Sequence, residues 1–437
     1  MLTKSAPSLQ NRCRYLRRLH VLTSLGNKDR LLIQNLAETI RHSIGLEELV
    51  ISRTEDFLLS GGRVVFDALS DLKSHNALRR LELRNVLKEA SCLLQVMKTT
   101  SVLELSLAFG FDDDYEPDPF DLLAGLGPNL TTLSLQNAMP YSVGVQCPHV
   151  HTLNMMSCDT VPLRDLKQMF PNLVNLAFHT EYGYDDDEDI EDMRAEYQAE
   201  FDANGDPWTS LQRLSGTVPH LYMFGFSFQV KVLELSTVSA KKSAMCLAVI
   251  DDLSPIDLDL PIYVAAFSLS ELEAFLTRAF GGLTQCTRLS LSFDMGGVSF
   301  DLSDFQSMLV SVLEKLKVRL LGIRFPRVYR RMSFEEIYEV DPTRLRLDPI
   351  ENYLCAIDTK ALATTIAKRI PSLHHVGVDI ENQSRTRGYW EIVRIPGGED
   401  KEQVASDTIS LTRVCNFDEH RHTLYSIPEV GELGDKS

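Results

Sequence analysis

Cys415, His420 and His422 have a spacing that a zinc ion could use, since thiolate and imidazole are its usual ligands. They fall in a polar tail, where such residues are more simply exposed side chains. His149 and His151 stand two apart and so share one strand face, but no third ligand comes with them. His374 and His375 are adjacent and point to opposite faces. Asp185–Asp189 carries carboxylates like a calcium loop but lacks the glycine such a loop turns on. Gly434-Asp-Lys-Ser437 echoes a phosphate loop, yet an aspartate separates glycine from lysine and no helix follows. GxSxG, HExxH and a post-strand GxGxxG are all absent from the sequence. The chain therefore reads as non-catalytic, with no metal and no cofactor expected. What remains is recognition chemistry, and the elements that would present it recur along the chain.

Five of the eighteen prolines open one phrase: Pro, any residue, then apolar residues at offsets two, five and seven. The copies start at Pro128, Pro148, Pro171, Pro219 and Pro371. With 44% hydrophobic residues, about 1.5 copies are expected by chance, so the excess signals a repeat. Without the proline it recurs at Leu16/Leu19/Val21, Leu46/Leu49/Ile51, Leu78/Leu81/Leu83 and Val102/Leu105/Leu107. It returns at Val230/Leu233/Leu235, Cys286/Leu289/Leu291 and Val318/Leu321/Ile323. The last two positions share one face of a short strand, and the proline ends the preceding helix.

Helical periodicity lies between these strands: Arg30–Ser43, Val64–Leu72, Ala90–Met97, Leu163–Phe170, Leu269–Phe280, Leu302–Leu316 and Thr359–Ile370. Ser268 or Ser270, and Asp301 or Ser303, are candidate N-caps. Alternating strand and helix predicts an α/β fold. The first six steps between phrases run from 20 to 32 residues, close to a leucine-rich repeat and short for a doubly wound sheet. The expected architecture is an α/β leucine-rich-repeat solenoid, a horseshoe over 1–387, with capping strands and a polar tail over 388–437. Later steps are irregular, and the nine residues from Leu221 to Val230 are too few for a helix between strands.

The eight cysteines are scattered with no CxxC pair, as reduced, small apolar residues would be; Cys158 stands where leucine-rich repeats often place Asn or Cys. No apolar leader and no long apolar run occur, which predicts an intracellular chain, cytoplasmic or nuclear, without a membrane span. The sequons at Asn129 and Asn382 then count as chance matches. The net charge of −17 resides in two stretches, 112–121 with six acids and no base, and 181–206 with twelve acids against Arg194. Both read as solvated acidic loops or docking sites for a basic partner, and the acidity argues against nucleic acid. Trp390 lies in an alternating strand, Arg387–Ile395, expected to pair with part of Thr408–Cys415 and to cap the open end of the array; a ligand-contacting tryptophan is the other reading.

These phrases, their uneven spacing and the terminal Trp strand resemble the leucine-rich-repeat part of fungal F-box-like proteins, over roughly residues 10–395. The resemblance implies a substrate receptor of a ubiquitin ligase. An N-terminal F-box opening near Leu-Pro-x-Glu docks a cullin-ligase adaptor, and the repeats select the protein to be modified. Here no Leu-Pro-x-Glu occurs and the first repeat begins by Leu16, so either an F-box lies upstream of Met1 or the protein is a repeat-only relative. A repeat regulator or inhibitor unrelated to ubiquitin is the competing expectation, its acidic loops docking a basic partner.

In such a solenoid the residues between the inward leucines face a concave surface, where a protein partner binds. They are Arg18, His20, Glu48, Arg80, Glu82, Arg84, Glu104, Ser106, Thr132, Ser134, Gln136, Thr152, Asn154, Asn175 and His179. Arg288, Ser290, Ser292, Arg324 and Asp379 follow. Arginine is a frequent hot-spot residue, which puts Arg80 and Arg84 first. A monomer outside its complex is expected.

Overall fold

The computed structural model describes residues 13–22, 30–74, 76–97, 101–111, 118–126, 129–139, 145–158, 162–179, 187–204, 208, 210–326, 349–380, 388–395 and 408–414. Among them, fifteen strands and eleven α-helices give a mixed α/β architecture. Packing divides the chain into two compact units, Met1–Gly216 and Thr217–Ser437. The metal-spaced Cys415, His420 and His422, the Gly434–Ser437 tail, Asn382 and residues 112–117, 181–186 and 205–207 of the acidic stretches lie outside the described residues.

The first unit has eight strands: β1 Arg18–Val21, β2 Glu48–Ile51, β3 Arg80–Val86, β4 Glu104–Phe109, β5 Thr132–Gln136, β6 Thr152–Met156, β7 Asn175–His179 and β8 Arg213–Gly216. Each pairs in parallel with the next in chain order. Helices α1 Arg30–His42, α2 Thr54–Ser70, α3 Lys88–Val96, α4 Leu163–Met169 and α5 Asp187–Asn204 lie between strands. The register stacks Leu49, Leu81, Leu105, Leu133, Leu153, Leu176 and Leu214 into one buried column. Ile51, Leu83, Leu107, Leu135, Met155 and Phe178 form the next. Each such side chain contributes roughly 1.5–3 kcal/mol by leaving water. Leu19, in the first strand, is half-exposed.

Two local devices hold the helices. Gly61 lets α2 approach α1, since a Cβ there would stand 2.0 Å from Val65 Cγ2 and 2.8 Å from Ile33 Cγ2; Gly62 then kinks α2 at φ 53°. The buried Glu55 of α2 takes the place of an N-cap for α3, accepting from Glu89 N at 2.9 Å and Ala90 N at 3.0 Å. It satisfies donors that Leu87, at the cap position, cannot serve.

The second unit has β9 Val232–Leu235, β10 Asp257–Tyr263, β11 Arg288–Asp294, β12 Leu320–Phe325 and β13 His375–Ile380, all parallel in chain order. Strands β14 Gly388–Ile395 and β15 Thr408–Arg413 follow, antiparallel. Its helices are α6 Val218–Phe224, α7 Ser243–Leu253, α8 Leu269–Gly282, α9 Leu302–Leu313, α10 Pro349–Ala356 and α11 Thr359–Arg369. Ser268 forms a capping box with Glu271 on α8, and Asp301 caps α9 through Ser303 N. In neither unit does the last strand pair with the first, so neither sheet closes into a barrel.

Three expectations need correction. The Pro219 phrase is a helix, not a strand: Pro219 falls in the first turn of α6, where its missing N–H costs nothing. The strand before it, β8, ends in Gly216 where an apolar residue was sought. The 56-residue gap from Val230 to Cys286 holds β10, whose lead position is Pro255 instead of a hydrophobe. The second acidic stretch is helical over Asp187–Asn204 instead of a loop, with Ile190 buried.

Candidate protein-binding face

Strand alternation turns every second side chain away from the leucine columns. In β5, β6 and β7 the leucine-bearing positions are buried and the alternate positions half-buried, without exception. Parallel register aligns Arg18, Glu48, Arg80, Glu104, Thr132, Thr152, Asn175 and Arg213 in one row across the first unit. The next row holds His20, Val50, Glu82, Ser106, Ser134, Asn154, Ala177 and Ser215. Of the residues expected to bind a partner, Arg18, His20, Arg80, Glu82, Arg84, Thr132, Ser134, Thr152 and Asn154 all belong to this face.

Its two halves differ in chemistry. Across β1–β3 two carboxylates gather three arginines and a histidine. Glu48 Oε2 lies 3.3 Å from Arg18 Nε, while its Oε1 lies 3.2 Å from His20 Nε2 and 3.6 Å from Arg80 Nη1. Glu82 Oε2 accepts from Arg80 Nη2 at 3.1 Å, and its Oε1 accepts from Arg84 Nε at 2.7 Å. Glu82, expected as a contact, is thus buried beneath Arg80 and Arg84 and acts by holding them. Across β5–β8 the face is uncharged up to Arg213. Asn154 Nδ2 donates to Ser134 Oγ at 3.1 Å, Asn175 Nδ2 donates to Thr152 Oγ1 at 3.0 Å, and Ser215 Oγ lies 3.0 Å from His179 Nε2.

Arg288 and Arg324 belong to the second unit, on neighbouring strands and half-buried. Arg288 Nη1 stands 4.0 Å from Asp257 Oδ2. A shallow cleft here is lined by Val232, Glu234, Asp257, Asp259, Arg288 and Ser290. Desolvation pushes the Asp259 carboxyl up to about 6, with Glu234 adding to the rise while Ser290, Arg288 and Arg324 oppose it. Sequence reading missed Glu234 and Asp259. The alternation Leu258-Asp-Leu260-Pro-Ile262 was the available signal, masked by Pro255 at the lead position.

Trp390 is not on this face. It pairs with Val376 at the end of the second unit's leucine column, is buried, and lays its ring over Gly388. Tyr389 lies on the opposite face of the strand and is also buried, paired with Gly377 and stacked on His375 at 5.6 Å. Burial pushes its hydroxyl up to about 12, with Glu391 adding to the rise and Arg288 opposing it.

Burial pushes the thiols of Cys147, Cys246 and Cys286 up to about 11, 12 and 12, which leaves them unreactive. His151 Nδ1 donates to the carbonyl of His149, a local contact. Among the described residues, no group of three or more His, Cys, Asp and Glu is placed to hold a metal ion, and no helix is long and apolar enough to cross a membrane. No protein-family model and no curated protein sequence matches the chain.

Proposed function

We propose that the protein is a non-catalytic binding module built of leucine-rich repeats, taking a protein partner on its outward strand face. One observation carries this reading: eight strands paired in parallel in chain order present a broad polar face, mounted on buried leucine columns. A solenoid built this way can be extended indefinitely while its neighbours keep the same contacts. The turns agree: Asn85, Asn137 and Ser157 take positive φ at or just past the ends of β3, β5 and β6, and Cys158 Sγ donates to Leu135 O at 3.5 Å. By its resemblance to fungal F-box-like proteins, the module serves as the substrate-recognition part of a ubiquitin ligase receptor.

The test is photocrosslinking in cells with benzoylphenylalanine at Thr132 or Thr152, against a control at the exposed Leu59 of α2. A partner should be captured from the strand positions and not from Leu59. Recovery of a cullin and its adaptor with the chain supports the ligase role; their absence alongside a captured partner removes it. A second reading has its own observation, the confinement of the net charge to two acidic stretches. There the protein is a regulatory scaffold whose acidic segments dock a basic partner, and capture would run through Glu196 on α5.

A further inference from the structure

We propose that the β1–β3 end of the first unit's strand face is a receptor for an acidic segment of the partner protein, with Arg18, Arg80 and Arg84 as its anion-binding groups. The inference rests on the docking face proposed above and assigns it the chemistry of its occupant.

The geometry sorts charge by depth. The side chains of Arg18, Arg80 and Arg84 are 78%, 47% and 53% exposed, whereas those of Glu48 and Glu82 are only 15% and 8% exposed. A partner arriving at this surface meets guanidinium groups, with the compensating carboxylates beneath them. Glu104 is the single exposed carboxylate in the rows that β1–β4 contribute. Each guanidinium has five N–H donors in a planar fork, and the glutamates occupy only some of them. The two glutamates also fix the arginines in place, which lowers the entropy lost when an anion is bound.

The spacing suits a polypeptide better than a small anion. Arg18 and Arg80 sit in one row two strands apart, roughly 10 Å, and Arg84 lies four residues beyond Arg80 along β3, roughly 13 Å. Glu48 already bridges Arg18 and Arg80, and Glu82 bridges Arg80 and Arg84, so one small anion meets donors largely in use, while a segment carrying several carboxylates can reach the outward N–H groups of all three arginines. The adjoining β5–β7 surface, small and uncharged, leaves room for the backbone of such a segment. On a chain whose net charge is −17, this end of the face is neutral in sum, with its arginines outermost and Glu48 and Glu82 beneath them. Binding there is therefore short-ranged and directional, not steered from a distance.

The probe is a dye-labelled oligoglutamate peptide, with oligolysine and Gly-Ser peptides as controls, followed by fluorescence anisotropy on the full chain at low ionic strength. Oligoglutamate should bind and the controls should not, and binding should weaken as salt rises. The variant R80Q/E82Q/R84Q removes the buried carboxylate together with both guanidiniums and should lose about tenfold or more in affinity, as the loss of a charge-assisted hydrogen bond implies. R18Q, whose partner Glu48 keeps His20 and Arg80, should lose severalfold while staying folded. R63Q/R164Q removes two exposed arginines from helices α2 and α4 and should bind like the wild type. Failure of oligoglutamate to bind, or equal loss in R63Q/R164Q, overturns the assignment. A partner crosslinked at Thr132 whose affinity is unchanged by both face variants overturns the acidic occupant while leaving the docking face standing.

Discussion

Glutamate 82 gives the sharpest prediction, because it is a buried carboxylate whose partners are known atom by atom. Its side chain is 8% exposed and its two oxygens are divided between Arg80 and Arg84. Replacing both arginines by glutamine strands that charge away from water. The carboxylate is buried but both guanidiniums are about half-exposed, so stranding it costs about 1–3 kcal/mol, less than for a fully buried pair. Adding Glu82→Gln to the double variant removes the stranded charge and should recover most of that loss. The chain offers a clean probe, having one tryptophan in each unit. Trp208 is buried and donates to the Phe170 carbonyl at 2.8 Å, so in a W390F background its emission reports unfolding of the first unit alone. Urea titrations of wild type, R80Q/R84Q and R80Q/E82Q/R84Q then measure the three stabilities. If the double variant lies within about 0.5 kcal/mol of the wild type, or the triple is no more stable than the double, the buried-clamp reasoning is wrong. The same physics makes R80E/R84E a poor binding test: it adds two anions beside Glu82 and should unfold β3 before it reports on any partner.

Removing the side-chain cap with Glu55→Ala leaves two N–H groups of α3 without acceptors and should cost the first unit about 2 kcal/mol, read by the same Trp208 titration. In the second unit, Asp259 has a folded pKa raised to about 6, so its charged form opposes folding; stability is highest when it is protonated and declines as pH rises from about 4 through 6. Asp259→Asn should therefore be more stable than wild type at pH 8, on the order of 2 kcal/mol, with the gap shrinking below pH 6 and closing by about pH 3; a constant gap refutes the assignment. His220 works in the opposite sense: burial first and Lys242 second hold it down to about 4, so its neutral form contributes stability above pH 6.5 that is lost as pH falls toward 4. Acid melts of D259N, followed by Trp390, should show that loss unmasked. Gly388→Ala would set a Cβ 2.0 Å from the Trp390 ring and should cost about 1–3 kcal/mol, visible as altered near-ultraviolet dichroism from Trp390; an unchanged spectrum would refute the close packing.

The leucine columns were legible because a strand face repeats every second residue and the register places equivalent positions side by side. Leu81, Leu105, Leu133 and Leu153 could be named from spacing alone, as could the residues that turn away from them. So could the α/β alternation and the pairing of the Trp390 strand with part of Thr408–Cys415. Sequence failed where one residue broke the phrase for a local reason. Gly216 hid β8, Pro255 hid β10, and Pro219 imitated a strand signal while starting a helix. Depth was the larger thing it could not supply. Arg80, Glu82 and Arg84 alternate in one strand and look equivalent, yet two are exposed and one is buried, because Glu82 lies between neighbouring strands and its oxygens draw both arginines over it. Trp390 and Tyr389 stand one residue apart and are both buried, and only antiparallel pairing with β13 decides which face of the sheet each covers. Periodicity fixes which side chains share a face; how far each stands from water depends on neighbours remote in sequence.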